Sequence, residues 1–331
     1  MRGRLGVMLC LCWPYVLVCL LWADADQAGT YRVEPVPAEL RQSWGLSDFY
    51  QKCLVASGLP ILASARVNDF ALKEAAYLLD KMLAGRDDLR QALVKRRIRV
   101  VVMAYNERTT DVPEHRDLKP PEYWDRRARG LGATHARPAV SCGEENLLEY
   151  PGDPYRGENI LVHEFAHTIH EIALRDLDAT FDRRLNEAYE EARKAQRWHN
   201  TYAATNRHEY WAEGVQIWFH CNRTNDRQHN HVNSREVLRQ YDPPLARLLE
   251  EVFRNNPWIY TPPSRRDSAE HLRGFDRRLA PVFRWPDRFS QPRNDGLQHS
   301  RSPALERRQA PGLLFSSAST SRDATPPGGD K

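Results

Sequence analysis

Apolar and polar residues follow a helical period in several separate segments of the chain. In residues 67–85 the apolar side chains recur every three or four positions, which is typical of a helix with one buried face. Asn68 or Asp69 suits the N-cap of this helix, and Gly85 suits its end. A second, short helix is predicted at 89–95.

The next segments have no helical period. Residues 98–104, "IRVVVMA", are apolar and rich in β-branched side chains, and they predict a buried strand. A turn is predicted at Gly58-Leu59-Pro60. Residues 105–157 are rich in Pro, Gly, Arg and Asp, and we interpret them as long loops with a short edge strand at "AVSC", 139–142.

Helical patterns return in the second half of the chain. Two helices are predicted at 157–174 and 206–220, with a charged, solvated helix at 179–198 between them. Residues 232–255 predict two further helices separated at Pro243-Pro244. Together these elements predict an α+β fold, with a small sheet in the N-terminal part and a mainly helical C-terminal part.

Composition divides the chain into four parts. Residues 1–25 are predicted to be a signal peptide, because a short basic start precedes a long apolar run that ends in Ala23-Asp24-Ala25. The alternative for this segment is an uncleaved membrane anchor. The remaining parts are an extended leader at 26–40, a folded domain at 41–287 whose final residues 263–287 pack as an extension, and a disordered, basic tail rich in Pro and Ser at 288–331.

The export signal predicts a secreted protein without stable membrane association after cleavage. The net charge of +4 comes without a dense basic patch interleaved with aromatic residues, so no nucleic-acid partner is expected. Cys53, Cys142 and Cys221 remain after cleavage, and this odd number leaves the disulfide pairing open. Asn222-Arg223-Thr224 is a candidate glycosylation site. The oligomeric state is left open.

The predicted helix at 157–174 contains the motif H-E-x-x-H. His163 and His167 are four residues apart, so their rings lie on one face of the helix and can reach one ion. Glu164 is then carried toward a water bound to that ion, where it can act as a general base. Two imidazoles and a carboxylate suit Zn²⁺ with one position open for water. His170 lies too far along the helix to join these ligands and is expected to be a pocket or core residue.

The third ligand must come from another segment. Glu209 and Glu213 are four residues apart on the predicted helix 206–220, among large aromatic side chains, and Glu209 is the candidate ligand. The alternative for Glu209 is a capping box that starts at Asn206, in which its side chain bonds back to the backbone.

Residues 158–219 resemble a known family of zinc peptidases. His163-Glu164-Phe165 with His167, followed by Tyr202, Thr205-Asn206 and Glu209-Tyr210-Trp211-Ala212-Glu213, is similar to the catalytic domain of anthrax toxin lethal factor. The resemblance implies a zincin-like metallopeptidase fold for residues 41–287, with an active-site helix at 157–174.

The resemblance also implies a role for each matching residue. It implies that His163, His167 and Glu209 bind zinc, and that Glu164 is the general base. Tyr202 would donate a hydrogen bond to the oxyanion, and Glu213 would accept one from the free ring nitrogen of a ligand histidine, His163 first. The alternatives are a buried tyrosine with a satisfied hydroxyl for Tyr202 and a solvated acid for Glu213.

The function that the sequence predicts is hydrolysis of peptide bonds in a peptide or protein substrate. Two alternatives remain. One is a secreted zinc-binding protein without activity, in which His170 or a cysteine completes the zinc coordination. The other is a zinc hydrolase with a non-peptide substrate, because the motif indicates how water is activated and not which bond is attacked.

Overall fold

The computed structural model describes residues 31–266 and 270–285. The predicted signal peptide, residues 26–30 of the leader, and the predicted disordered tail at 288–331 lie outside these residues. Within the described part of the chain, no helix is both long and apolar enough to cross a bilayer.

A six-stranded mixed sheet has the strand order β1-β2-β3-β4-β6-β5. The strands are β1 (Glu34–Pro35), β2 (Lys52–Ala56), β3 (Leu59–Ala63), β4 (Arg99–Met103), β5 (Gly130–Leu131) and β6 (Ala139–Gly143). β3, β4 and β6 are parallel, whereas β1, β2 and β5 each pair antiparallel with a neighbour. The chain is therefore a mixed α+β protein, as predicted.

The strands β2 and β3 form a hairpin of which the sequence analysis predicted only the turn. Ser57 and Gly58 both have positive φ angles, 50° and 75°, which is the geometry of the tight turns that match strand twist. All five residues of β3 are buried, so the strand lacks the alternation that identifies an amphipathic strand.

The helix Ala38–Trp44 packs on one face of the sheet, other helices pack on the opposite face, and helices form most of the C-terminal part. They are α1 (Ala38–Trp44), α2 (Asp69–Met82), α3 (Asp87–Lys95), α4 (Pro121–Arg127), α5 (Glu144–Leu147), α6 (Ile160–Thr168), a π-helix (Ile169–Leu174), α7 (Arg175–Leu177), α8 (Phe181–Lys194), α9 (Arg207–Trp218), α10 (Arg235–Tyr241) and α11 (Pro243–Phe253). The predicted helices in these regions are confirmed. At the start of α2, the Asn68 side chain accepts a hydrogen bond from the N–H of Phe70 at 3.0 Å.

The interpretation of residues 105–157 as long loops is wrong. This segment contains α4, β5, β6 and α5. "AVSC" belongs to β6, which is an interior strand between β4 and β5, and the edge strand is Gly130–Leu131. The helix α4 begins at Pro121, directly after Pro120, so its first turn has the composition of a loop.

Both ends of the described chain pack on the domain. The segment 31–40, predicted as leader, contains β1, which pairs with β2, and the beginning of α1. In the extension at 263–287, Phe283 is buried and its N–H donates to the carbonyl of Pro151 at 2.8 Å.

Candidate metal centre

Two asparagine-capped helices bring the predicted ligands together. Asn159 caps α6, accepting a hydrogen bond from the N–H of Val162 at 3.1 Å. Asn206 caps α9, accepting from the N–H groups of His208 at 2.8 Å and Glu209 at 3.0 Å. The Glu209 carboxylate faces the histidines of α6 and not the start of its own helix, so the capping-box alternative for Glu209 does not apply.

The three predicted ligand atoms form a compact triangle. Nε2 of His163 lies 3.1 Å from Nε2 of His167 and 3.1 Å from Oε2 of Glu209. Nε2 of His167 lies 3.4 Å from the same Glu209 oxygen. The side chains of His163, His167 and Glu209 are 8%, 15% and 12% exposed, so the site is shielded but open on one side.

These distances fit a tetrahedral zinc ion. Zinc bonds of about 2.0–2.1 Å to nitrogen and oxygen require ligand atoms about 3.3–3.4 Å apart. The observed separations of 3.1, 3.1 and 3.4 Å come within a few tenths of an ångström of that value. Metal binding by these residues is therefore plausible on geometric grounds, and two imidazoles with one carboxylate are a donor set that zinc accepts.

The electrostatic environment favours a cation at the same position. Burial is the largest single influence on His163 and opposes a positive charge there. The hydrogen bond with Glu209 and the charges of Glu164, Glu209 and Glu213 together outweigh burial and raise the pKa of His163 to about 10. Burial also disfavours the Glu209 carboxylate, yet the neighbouring His167 and His163 hold the pKa of Glu209 well below its usual value. The carboxylates around this position therefore favour a positive charge there, and a divalent cation also supplies one.

The side chain of Glu164 extends from the ligand helix α6 toward β5, the edge strand of the sheet. The N–H of Gly132, next to β5, donates a hydrogen bond to its carboxylate. Burial raises the pKa of Glu164 above the usual range, which makes the carboxylate a better proton acceptor. A Cβ atom added at Gly132 would lie 2.8 Å from Cβ of His167, so this backbone approaches the ligand helix too closely for any side chain.

The hydrogen bond that the sequence analysis assigned to Glu213 belongs to Gln216. Nδ1 of His163 lies 2.8 Å from Oε1 of Gln216, whereas Oε1 of Glu213 is 3.6 Å away. Gln216 is three residues after Glu213 on α9, and so it lies on the same face of the helix. A glutamine carries no charge, and the sequence offered no signal that would have identified this residue.

Glu213 instead belongs to a buried polar group behind the ligands. Its Oε2 accepts a hydrogen bond from Nδ2 of Asn222 at 2.8 Å and lies 3.5 Å from Nε2 of His229. Nδ2 of Asn222 is the atom to which a glycan would be attached, and here it points at a buried carboxylate. In this conformation Asn222 does not suit the predicted glycosylation.

Tyr202 lies beside the ligands, in a 3-10 helix at Tyr202–Ala204. The ring centroids of Tyr202 and His163 are 6.2 Å apart. Burial and the charge of Glu209 raise the pKa of Tyr202 well above its usual value, so its hydroxyl keeps its proton and can donate it in a hydrogen bond. Arg127, at the end of α4, interacts electrostatically with Tyr202 and Glu209, and the sequence analysis missed it.

The other candidate ligands lie apart from this centre. His170 is fully buried and contacts Asp182 through Nε2 at 2.6 Å, as expected for a residue outside the ligand set. Cys53, Cys142 and Cys221 are all buried free thiols, so none of them forms the disulfide that the sequence left open.

Comparisons with known proteins add little to this geometry. No protein-family model and no curated protein matches the chain, so the resemblance to lethal factor stays a prediction. Among solved structures, the chain is similar to the Pro-Pro endopeptidase PPEP-2 from Paenibacillus alvei. The TM-score is 0.36 with 14% identity, covering 58% of this chain and 96% of that chain. A similarity this low does not establish a shared fold.

Proposed function

We propose that the protein is a zinc-dependent metallopeptidase with a zincin-like active site. The observation that carries the proposal is the triangle of His163 Nε2, His167 Nε2 and Glu209 Oε2, with separations of 3.1, 3.1 and 3.4 Å. A carboxylate on the same helix, Glu164, lies beside the triangle. This arrangement has the ligands, the open side and the base that hydrolysis by an activated water requires.

Each of the remaining residues has a role in this proposal. Zinc bound by His163, His167 and Glu209 would lower the pKa of a coordinated water to about 7 and polarise a substrate carbonyl. Glu164 accepts a proton from the attacking water and delivers it to the departing amine. The phenol of Tyr202 donates a hydrogen bond to the oxygen that gains charge in the transition state.

A peptide or protein substrate fits the edge of the sheet. β5 is the last strand in the sheet order, it pairs only with β6 among the described strands, and it runs beside Glu164. An extended peptide that added to the outer edge of β5 would place its backbone along the ligand helix. We place this activity outside the cell on the strength of the N-terminal signal pattern alone.

The test is replacement of Glu164 by Gln. The variant keeps the size of the side chain but removes the base, so it should bind one zinc at the His163 centre with unchanged affinity and lose turnover of a diverse peptide library. Glu187→Gln, which changes an exposed glutamate, is the matched control and should keep full activity.

Three results separate the proposal from its alternatives. Retained peptide turnover in Glu164→Gln removes the assigned base. Zinc bound at this centre without turnover of any peptide or ester by the wild-type protein indicates a non-catalytic zinc protein. Chelator-sensitive ester hydrolysis without peptide hydrolysis indicates a hydrolase of non-peptide substrates.

A further inference from the structure

Besides the proposed zinc centre, a second group of residues has the composition of a metal site. His170, Glu171 and His208 each present a ligand atom, and these atoms all lie within 4.8 Å of one another. His170 and Glu171 belong to the π-helix Ile169–Leu174, which directly follows the ligand helix α6. Single π-helical turns within α-helices frequently occur at functional sites. The group shares no residue with the proposed zinc centre.

His170 has the hydrogen-bonding pattern of a metal ligand. The side chain is completely buried, and its Nε2 lies 2.6 Å from Oδ1 of Asp182. Its Nδ1 is buried without any hydrogen-bond partner. Ligand histidines usually donate their other ring N–H to a carboxylate, which fixes the tautomer and directs the free lone pair at the metal.

Glu171 and His208 each present one ligand atom to this group. Oε1 of Glu171 lies 3.0 Å from Nδ1 of His208 and 4.0 Å from Nδ1 of His170. Nδ1 of His208 is buried, and Oε1 of Glu171 is the partner that it contacts. The second oxygen of Glu171 is already paired, at 2.7 Å, with Arg175.

The charged side chains around this group carry a net negative charge. Arg175 contacts both Glu171 and Asp182, the latter at 2.8 Å, so one guanidinium faces two carboxylates. A bound divalent cation would compensate the remaining negative charge and would occupy the space between Nδ1 of His170 and Nδ1 of His208.

A third group, formed by Glu158, Glu213 and His229, lacks these features. Arg223 contacts Glu158 at 2.6 Å, and Asn222 donates to Glu213 at 2.8 Å. No ring nitrogen of His229 is left without a partner among the described residues. The unpartnered Nδ1 of the buried His170 therefore favours the group on the π-helix.

We propose that Nδ1 of His170, Nδ1 of His208 and Oε1 of Glu171 bind a second divalent transition-metal ion, of which zinc fits the donors best. Two imidazoles and one carboxylate are again a donor set for zinc. The side chains of His208 and Glu171 are 14% and 18% exposed, which leaves a side for a water ligand and for entry of the ion. Closing the site needs an inward shift of the rings of about 1 Å, because zinc ligand atoms lie about 3.3–3.4 Å apart.

The position of this ion gives it a structural role next to the first centre. It would join the π-helix to the first turn of α9, and His208 directly precedes Glu209. The proposal goes beyond the peptidase function and does not depend on it.

Counting the bound metal tests the proposal. The purified protein is saturated with Zn²⁺ and freed of weakly bound ions, and its metal content is measured by mass spectrometry. Two equivalents per chain are expected. His208→Ala and the nearly isosteric Glu171→Gln should each bind one equivalent, whereas His231→Ala, at an exposed position, should keep two.

A variant of the first centre keeps the two sites distinguishable. His163→Ala should also bind one equivalent, and the double variant with His208→Ala should bind none. Circular dichroism establishes that each variant is folded.

The second site is overturned if the wild type binds a single equivalent of zinc that is lost in His163→Ala and retained in His208→Ala. Two equivalents retained in folded His208→Ala and Glu171→Gln overturn it as well. If His163→Ala retains two equivalents while His208→Ala loses one, the first centre fails and the second stands.

Discussion

Nδ1 of His163 lies 2.8 Å from Oε1 of Gln216, and Nε2 of Gln216 donates in turn to the carbonyl of Asn159 at 3.2 Å. Gln216 therefore connects the ring of a proposed ligand to the residue that caps the ligand helix. The amide oxygen accepts the proton on Nδ1, so a bound metal ion would take the place of the proton on Nε2, the atom that faces His167 and Glu209.

Replacing Gln216 by Ala should weaken zinc binding. Loss of the hydrogen bond that orients a ligand histidine typically lowers metal affinity about 10–100-fold. The measurement is a competition titration with a chromogenic chelator, and Gln91→Ala, at an exposed glutamine, is the control. An unchanged affinity in Gln216→Ala would show that the ring of His163 is oriented by other contacts.

Tyr202→Phe should impair turnover and leave zinc binding intact. The hydroxyl stays protonated because its pKa lies well above neutrality, so it is available as a hydrogen-bond donor at any working pH. Removal of one oxyanion donor typically lowers kcat about 10²–10³-fold. Tyr31→Phe is a matched control, since that hydroxyl donates to Asp80 on α2. A kcat within about threefold of wild type would assign Tyr202 to packing alone.

The proposed metal ligands were predictable from the sequence, and their surroundings were not. His163 and His167 follow from helical spacing, whereas for Glu209 the spacing left a capping box open and the resemblance favoured the ligand role. Gln216 and Arg127 could not be identified because neither belongs to a motif, and each reaches the site only through tertiary packing. The assignment of Glu213 was close, since one turn of α9 separates it from the residue that makes the hydrogen bond.

Gly132→Ala should disturb the centre through direct steric contact. The added Cβ would lie 2.8 Å from Cβ of His167 and 3.2 Å from the carbonyl oxygen of Glu164, and neither of these atoms can rotate away. Overpacking of this kind costs about 1–3 kcal/mol of stability, and it should also weaken zinc binding by displacing His167. Stability and zinc affinity are measured on the same preparation.

Gly45→Ala is the control for Gly132→Ala. Gly45 has a φ of 62° and no atom within 4 Å of an added Cβ. The substitution should cost about 1 kcal/mol of backbone strain and leave zinc affinity unchanged. Equal zinc affinities in Gly132→Ala and the wild type would contradict the close approach of this backbone to the ligand helix.

The fold was predictable where one face of an element meets water. α2 has a clear helical period and an asparagine cap, and both were visible in the sequence. β6 is buried on both faces, so it has no alternation, and it was predicted as an edge strand although it lies in the interior of the sheet. The two-residue strands β1 and β5 exist only because a longer strand is present to pair with them, which no local pattern can indicate.

Arg129→Ala should strongly destabilise the fold. Nε of Arg129 lies 2.6 Å from Oε1 of Glu145, and both side chains are almost completely buried. Arg129 also donates to the carbonyls of Ala104 and Glu107, which ties the start of β5 to the end of β4. Removal of one partner leaves a buried carboxylate uncompensated, at a cost of about 3–5 kcal/mol. Chemical denaturation measures the loss, and Arg126→Ala, at an exposed position nearby, should change stability by less than about 0.5 kcal/mol.

His115 should make the stability of the protein depend on pH. The side chain is 1% exposed, its Nε2 lies 3.0 Å from Oγ of Ser141, and its Nδ1 has no hydrogen-bond partner. Burial lowers the pKa of His115 from 6.5 to about 4. Between these values the unfolded chain binds a proton that the folded chain does not bind. The contribution of His115 to the free energy of unfolding therefore falls by about 3 kcal/mol as the pH decreases from about 6.5 to about 4.

Comparison with His115→Gln isolates this contribution. The amide of glutamine can still bond to Ser141 but does not titrate, so lowering the pH from 6.5 to 4 should destabilise the wild type relative to the variant. Burial raises the pKa of both Glu144 and Asp153 to about 7, which acts in the opposite direction. Their effect is common to both proteins and cancels in the difference. His135→Gln, at an exposed position, should follow the wild-type curve. Parallel curves for His115→Gln and the wild type would show that His115 is protonated in the folded protein as readily as in the unfolded chain.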